Sequence, residues 1–379
     1  MEDIELDNPF VVGKYVSPRY FCDREEETEF LVKQIVNGRN VALISDRRMG
    51  KSGLIRHAFA LDSVLDRFTP IYIDIYATGT LTEFVYLFGK AVFECLKPRR
   101  TKLMEKFFSI VSSLKVGFKM DPISGEPGLD IGIGDIKTPE VTLDEIFRYL
   151  ETSQKPCIVA LDEFQQIGEY VEKNVEALLR TKIQQCSRTQ FIFAGSKRHI
   201  MSNMFNSPAK PFYQSAILMG LDAIPLEKYV PFAQRLFNEG AKEIGEEVIS
   251  TVYGEYDGTT WFVQMMMNEL YSLTSKGGKC TEDMLDAAKR NIIQVQSYGY
   301  REILARLSLK QKQLLQALAK EKQVTAINSA EFISTHSLAS ASSVQSALTP
   351  LLDKNIVVKS DDSYRIYDYF LSEWIRMNY

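Results

Sequence analysis

Gly50-Lys51-Ser52 is the stretch of this sequence with the most chemistry in it. It closes a polar loop, Ser45-Asp46-Arg47-Arg48-Met49, and opens a segment with apolar residues at helical spacing: Leu54, Ile55, Ala58 and Phe59. An apolar run at 41–44, read as a buried strand, precedes the loop. Strand, loop and helix in this order form a setting that binds phosphate. Loop N–H groups and the helix N-terminus cradle phosphate oxygens. Lys51 would reach the β- and γ-phosphates, and the Ser52 hydroxyl would hold Mg²⁺. The candidate phosphate-binding residues are therefore Asp46, Arg47, Arg48, Met49, Gly50, Lys51, Ser52 and Gly53. One position departs from the pattern, which asks for glycine where Ser45 stands.

A second constellation follows roughly 110 residues later, where Asp162-Glu163 ends the apolar run Cys157-Ile158-Val159-Ala160-Leu161. Alone, such a pair reads more simply as a helix cap with a charged first turn. Beside a phosphate loop in the right order, it reads as Asp162 supporting the metal held by Ser52 and Glu163 orienting or deprotonating a water. Ser196 ends the next apolar strand. It either contacts the γ-phosphate or the attacking water, or caps the following segment, and the sequence favours neither. Neutralising a transferring phosphoryl group calls for an arginine. Arg47, Arg48, Arg56, Arg188 and Arg198 are candidates, and nothing in the sequence chooses among them.

These residues sit in a chain of 379 residues with a net charge of −4, long enough for two or three domains. The small net charge argues against a surface devoted throughout to nucleic acid. Five scattered cysteines include no C-x-x-C pair, which speaks for reduced thiols and against a zinc site. An acidic start without an apolar core reads as no secretory signal, and no apolar run reaches membrane length. The expected location is cytoplasmic, with no membrane partner.

The elements that must position the site alternate. Buried strands are expected at 41–44, 70–76, 157–161 and 190–194, with helices at about 81–97, 143–153 and 170–186 between them. Alternation of this kind predicts an α/β fold with a parallel sheet covered by helices on both faces. Residues 115–137 alternate apolar and polar around a Pro- and Gly-rich turn and read as an inserted β-hairpin. From about 226 to 297 the chain reads as helical only, with Met265, Met266 and Met267 as core filling. After it, helices from about Ser308, Ser329 and Ser340, a small hairpin at Ile356 and Tyr364, and a last helix from Tyr369 spell a winged helix. The expected domains are a phosphate-loop core at 1–225, a helical lid at 226–300 and a winged helix at 301–379.

The combination resembles the archaeal-type ATPase family, a branch of the signal-transducing ATPases with numerous domains, related to AAA+ proteins. Carrying the resemblance are Phe21-Cys22-Asp23-Arg24-Glu25, Arg47-Arg48-Met49-Gly50-Lys51-Ser52, Ile158-Val159-Ala160-Leu161-Asp162-Glu163-Phe164 and Ala194-Gly195-Ser196. The resemblance spans nearly the whole chain. It implies ATP and Mg²⁺ as ligands, Asp23, Arg24 and Glu25 near the adenine, and a sensor role for Ser196. Two positions depart from it. Gln214 stands where relatives often carry an arginine after Pro-Leu-Tyr-Gly, and Thr260 replaces the proline of a Gly-x-Pro turn in the lid. The resemblance thus implies an ATP-dependent switch whose hydrolysis, on its own, is slow.

Third helices of winged helices often enter the DNA major groove. Here that helix, about 340–355, offers serines and Gln345 but only a terminal lysine. Residues 301–379 carry ten Lys and Arg against eight Asp and Glu, a weak footprint for phosphate grip. A protein contact, self-association or autoinhibition is the more economical reading, with a DNA-associated ATPase and a scaffold without turnover as the alternatives.

Overall fold

The computed structural model describes residues 5–96, 118–120, 127–129, 136–360 and 362–379. They form two compact units, one built on Gly13–Ile224 and the other on Pro225–Tyr379 together with Leu6–Val12. The segments expected as lid and winged helix both fall in the second unit.

The first unit is built on a five-stranded parallel sheet. Its strands are β1 (Val41–Ile44), β2 (Thr69–Asp74), β5 (Cys157–Asp162), β6 (Thr189–Gly195) and β7 (Ile217–Gly220), and their spatial order is β2-β5-β6-β1-β7. β7 is absent from the strands expected above. It is a four-residue edge strand with three exposed positions, too short to leave a periodic signature. Every residue of β5 is buried, as a central strand flanked on both faces requires. Side-chain alternation then sorts the two faces. Phe191 and Phe193 join an aromatic layer with Phe84, Phe88, Phe147 and Phe205. Ile192 and Ala194 join an aliphatic layer with Leu54, Ile55 and Ala58 of α2 (Lys51–Ala60). The phosphate-loop helix therefore lies on the face built from smaller residues.

Register brings the strand ends level. Ile44 lies opposite Gly195 and Gly220, and Asp74 lies opposite Asp162. The residues that follow β1, β5 and β6 are Ser45, Glu163 and Ser196, so all three emerge at the carboxyl edge of the sheet, where open α/β sheets bind ligands. The other helices of this unit are α1 (Glu25–Val36), α3 (Asp62–Leu65), α4 (Leu81–Leu96), α5 (Pro139–Glu151), α6 (Val175–Gln185) and α7 (Arg198–Asn206). α5 begins earlier than expected. α6 begins later, after a 3-10 turn at Phe164–Glu169 and a non-helical stretch that ends in left-handed Asn174. In the expected hairpin, β3 (Phe118–Met120) pairs antiparallel with β4 (Pro127–Leu129). The rest of the 115–137 segment before Ile136 lies outside the described residues.

The second unit is mostly helical: α8 (Leu226–Glu239), α9 (Glu246–Glu255), α10 (Thr260–Leu273) and α11 (Asp283–Ala305). It is not helical only. β8 (Glu243–Ile244) and β9 (Lys279–Cys280) pair in parallel, two residues each, which is too little to show in a sequence pattern. Met266 and Met267 are fully buried core residues. Phe10, also fully buried, packs edge-on to Phe232 and Phe237 and against Tyr271. Asn8 Nδ2 donates to the Asn268 carbonyl at 2.8 Å, and Asn268 Nδ2 donates to the Phe10 carbonyl at 2.8 Å. These bonds fix the strap Leu6–Val12 on α10. The chain ends with α12 (Leu309–Glu321), α13 (Ala330–Thr335), α14 (Ala341–Asp353), the antiparallel pair β10 (Val357–Ser360) and β11 (Ser363–Ile366), and α15 (Tyr369–Asn378). Tyr256 and Phe262 pack against Tyr369 and Phe370 of α15. Among the described residues no helix is long and apolar enough to cross a membrane.

Candidate functional site

The loop between β1 and α2 turns on two left-handed residues, Arg48 at φ 66° and Gly50 at φ 95°. Gly50 is the cap of α2 and brings no side-chain acceptor to the first turn, so it leaves the N–H groups there open to an anion. Ser45 is not among the left-handed residues, which removes the need for glycine at that position. Its buried hydroxyl has work of its own. Lys51 Nζ donates to Ser45 Oγ at 3.1 Å, to the Ser45 carbonyl at 3.2 Å and to the Asp46 carbonyl at 3.0 Å. Burial pulls the Lys51 ammonium below its ordinary range, while the carboxylates of Glu163, Asp162 and Asp46 push it back up.

Ser52 Oγ donates to Asp162 Oδ2 at 2.5 Å, closing the gap between phosphate loop and acidic strand. Tyr72 of β2 donates its phenol to the same oxygen. Burial, then the Asp162 charge, hold that phenol far above its ordinary range, so it remains a donor. Asp162 Oδ1 accepts the Glu163 N–H at 3.0 Å. Asp74 stands across from Asp162, and its carboxyl is held above the usual range by burial and by the charges of Asp162 and Glu163.

Glu163 has left-handed backbone at φ 57°. A non-glycine residue pays for that conformation, which turns its side chain off the strand direction. Its Oε2 accepts from Ser196 Oγ at 2.7 Å and from Gln165 Nε2. Arg47 Nε in turn donates to Ser196 Oγ at 3.3 Å. Because β6 lies between β1 and β5, Ser196 stands between the loop and the acidic pair. Gly195 makes room for this cluster, since a Cβ there would meet Met201 at 2.5 Å and Gln165 Oε1 at 2.6 Å.

Known proteins share the fold that carries this geometry. Residues 298–377 match the family model described as a probable winged helix domain. A Walker-type ATPase of Pyrococcus abyssi superposes with a TM-score of 0.65 at 20% identity, over 97% of this chain and 99% of that one. The fold is that of a Walker-type ATPase ending in a winged helix. Two Aeropyrum pernix structures share this fold. The Orc2 protein with ADPNP and ADP has a TM-score of 0.58 at 14% identity, covering 97% of each chain. The Orc1 protein in complex with DNA has a TM-score of 0.55 at 13% identity, over 99% of this chain and 98% of that one. No curated protein matches in sequence.

Within this ATPase fold, the structure brings Lys51, Ser52, Asp162, Glu163, Ser196 and Arg47 together at one edge. Arg24 has a bracing position. It is buried, and its guanidinium donates to the Asp222 carbonyl at 2.6 Å, the Met49 carbonyl at 3.4 Å and Glu27 at 2.5 Å. Asp23 precedes it in the same left-handed turn. Gly53 lies under Phe21, whose Cε2 would sit 3.4 Å from an added Cβ. Phe21 stacks on His57 with centroids 4.4 Å apart, and Tyr15 bonds His57 Nδ1 at 3.2 Å. Burial lowers the His57 pKa and raises that of Tyr15.

Thr260 occupies the first position of α10 after Gly258 at φ 61°. Proline is at home at that position, so the replacement leaves the turn intact. Gln214 has left-handed backbone at φ 52° and bonds the Tyr213 hydroxyl at 3.2 Å. Sequence reasoning missed Tyr72, Gln165 and the Tyr15–Phe21–His57 nest. Gln165 follows Glu163 by two residues and was the one within reach. The others become neighbours of the site only through strand order and chain folding.

Proposed function

We propose that this chain is an ATPase acting as a nucleotide-dependent switch. The observation that carries the reading is the 2.5 Å bond from Ser52 to Asp162, with Glu163 held beside it by Ser196. Two hard oxygen donors brought side by side suit Mg²⁺ in kind, and Ser52 and Asp162 are the residues that would hold it, the ion taking the place of the hydrogen bond between them. Bound there, the ion would neutralise charge on the β- and γ-phosphates. The chain's own groups do the rest. Lys51 exchanges loop carbonyls for phosphate oxygens. The first-turn N–H groups of α2 bind the phosphates. Tyr72 keeps Asp162 in place, and Glu163 takes the proton of a water aimed at the γ-phosphate. Phe21 and His57, beside Gly53, form a shelf for the adenine, with Asp23 and Arg24 bracing it against the loop.

The second unit is built to move as one piece. Its lid turn, Tyr256 to Phe262, is packed on α15 by aromatic contacts, and Tyr369 Oη donates to Asp257 Oδ2 at 2.6 Å. Lid and winged helix therefore respond together. The exposed face of α14 carries Ser342, Gln345, Ser346 and Thr349 and no cation, which supports a protein contact over DNA. Five free cysteines suit a reducing, cytoplasmic setting.

Glu163→Gln tests the reading. It should keep ATP affinity and lower phosphate release by about 100-fold or more, the usual worth of a positioned base. Release at the wild-type rate would instead make the chain a nucleotide-binding scaffold.

A further inference from the structure

We infer that Arg47 is the arginine that neutralises the transferring phosphoryl group, supplied in cis by the phosphate loop, so that hydrolysis needs no second subunit. This rests on the ATPase reading and adds to it a residue the sequence could not choose.

Four other arginines have contacts that hold them, and Arg48 is a left-handed residue on which the loop turns. Arg188 donates to the Gln154 carbonyl at 3.0 Å and precedes β6, at the end of the strand opposite Ser196. Arg56 lies over the Tyr72 ring, 4.1 Å from its centroid. Arg24 is buried on Glu27 and two carbonyls. Arg198 is half exposed and paired with Asp46 at 3.2 Å and Asp222 at 3.4 Å. Arg47 is half-buried and has one hydrogen-bond partner among the described residues, Ser196 Oγ at 3.3 Å, through Nε. That bond leaves its two terminal amino groups to grip phosphoryl oxygens in a fork.

Its neighbours fix what it faces. The Ser196 hydroxyl it touches also binds Glu163, and its charge is felt by Lys51. The guanidinium therefore lies between the residue that orients water and the residue that takes the β- and γ-phosphates. In the step it serves, water oxygen bonds to the γ-phosphorus and the bond to the β,γ-bridging oxygen breaks. ADP keeps the electron pair, and the proton leaves through Glu163 to solvent. Arg47 moves no proton; it offsets charge on the equatorial oxygens, and only ATP and water are consumed.

The test measures steady-state phosphate release from the full chain with Mg-ATP over a wide range of protein concentration. Affinity for a non-hydrolysed ATP analogue is measured alongside. Arg47→Ala should lower kcat by about 1,000-fold, the scale of an arginine finger, with little change in affinity. Arg47→Lys keeps the charge and the fold but lacks the fork, and should recover only a small part. Arg188→Ala should match wild type. The wild-type rate per molecule should not depend on concentration. Wild-type kcat in Arg47→Ala, the large loss appearing in Arg48→Ala or Arg198→Ala instead, or a specific rate that climbs with concentration would each overturn the inference. If Glu163→Gln stops release while Arg47→Ala does not, only this inference fails; if neither changes release, the ATPase reading fails and takes it along.

Discussion

Four helical segments of the phosphate-loop unit and the four helices of the winged helix begin in opposite ways. α1 starts from Arg24, α2 from Gly50 and α6 from Asn174, and the 3-10 turn after β5 starts from Glu163. All four starting residues are left-handed, and none caps with its side chain. In the winged helix, α12, α13, α14 and α15 start from Ser308, Ser329, Ser340 and Asp368. Each is extended, and its side chain accepts first-turn N–H groups. A capped helix satisfies its own end and needs no ligand. An uncapped one keeps donors for something else, at a cost of about 1–3 kcal/mol for each strained non-glycine residue. Three of the four left-handed starts, Arg24, Gly50 and Glu163, border the candidate nucleotide site. The phosphate-loop unit thus leaves unfinished the ends that the winged helix completes.

Separate losses should sharpen the contrast. Lys51→Ala has the largest expected effect in this comparison. Charged hydrogen bonds are worth about 1.5–3 kcal/mol each, so losing them to phosphate should weaken ATP binding by about 100-fold or more. Isothermal titration with a non-hydrolysed analogue measures this; retained affinity would mean the uncapped end of α2 is not the phosphate site. Next comes Asp368→Ala. Asp368 Oδ1 accepts from the N–H groups of Phe370 at 3.0 Å and Leu371 at 3.1 Å. Its removal should cost about 1–2 kcal/mol in chemical denaturation and leave ATP affinity unchanged. A fall in affinity instead would show that the winged helix is not locally complete.

The same contrast explains what the sequence made legible. Ser308, Ser329 and Ser340 announced their helices because a capping serine is visible in the sequence, and the structure starts each helix one residue later. In the first unit the expected starts of α5 and α6 missed by several residues. α6 enters through a left-handed asparagine, and α5 through Thr138, which makes no side-chain cap. The phosphate loop and acidic pair were readable because each lies within a few residues of chain. Tyr72 was not. It meets Asp162 because β2 and β5 are neighbours, with Tyr72 opposite Ala160 in register, and spacing along the chain carries no trace of that. Arg47 was one arginine among five until strand order set Ser196 beside it.

The smallest expected effect tests how α2 is held, given that no cap holds it. His57, in its last turn, stacks on Phe21 and bonds Tyr15. Burial sets its folded-state pKa below the ordinary 6.5, so on acidification the unfolded chain takes up the proton first. The contribution of neutral His57 is full above pH 6.5 and is lost as pH falls through the depressed folded value. His57→Gln should flatten that part of the stability curve, read by urea denaturation at a series of pH values. The ring is partly exposed, so the slope will be shallow. An unchanged slope in the variant would mean that protonation of His57 does not loosen the nest, and that α2 is held by its buried aliphatic face alone.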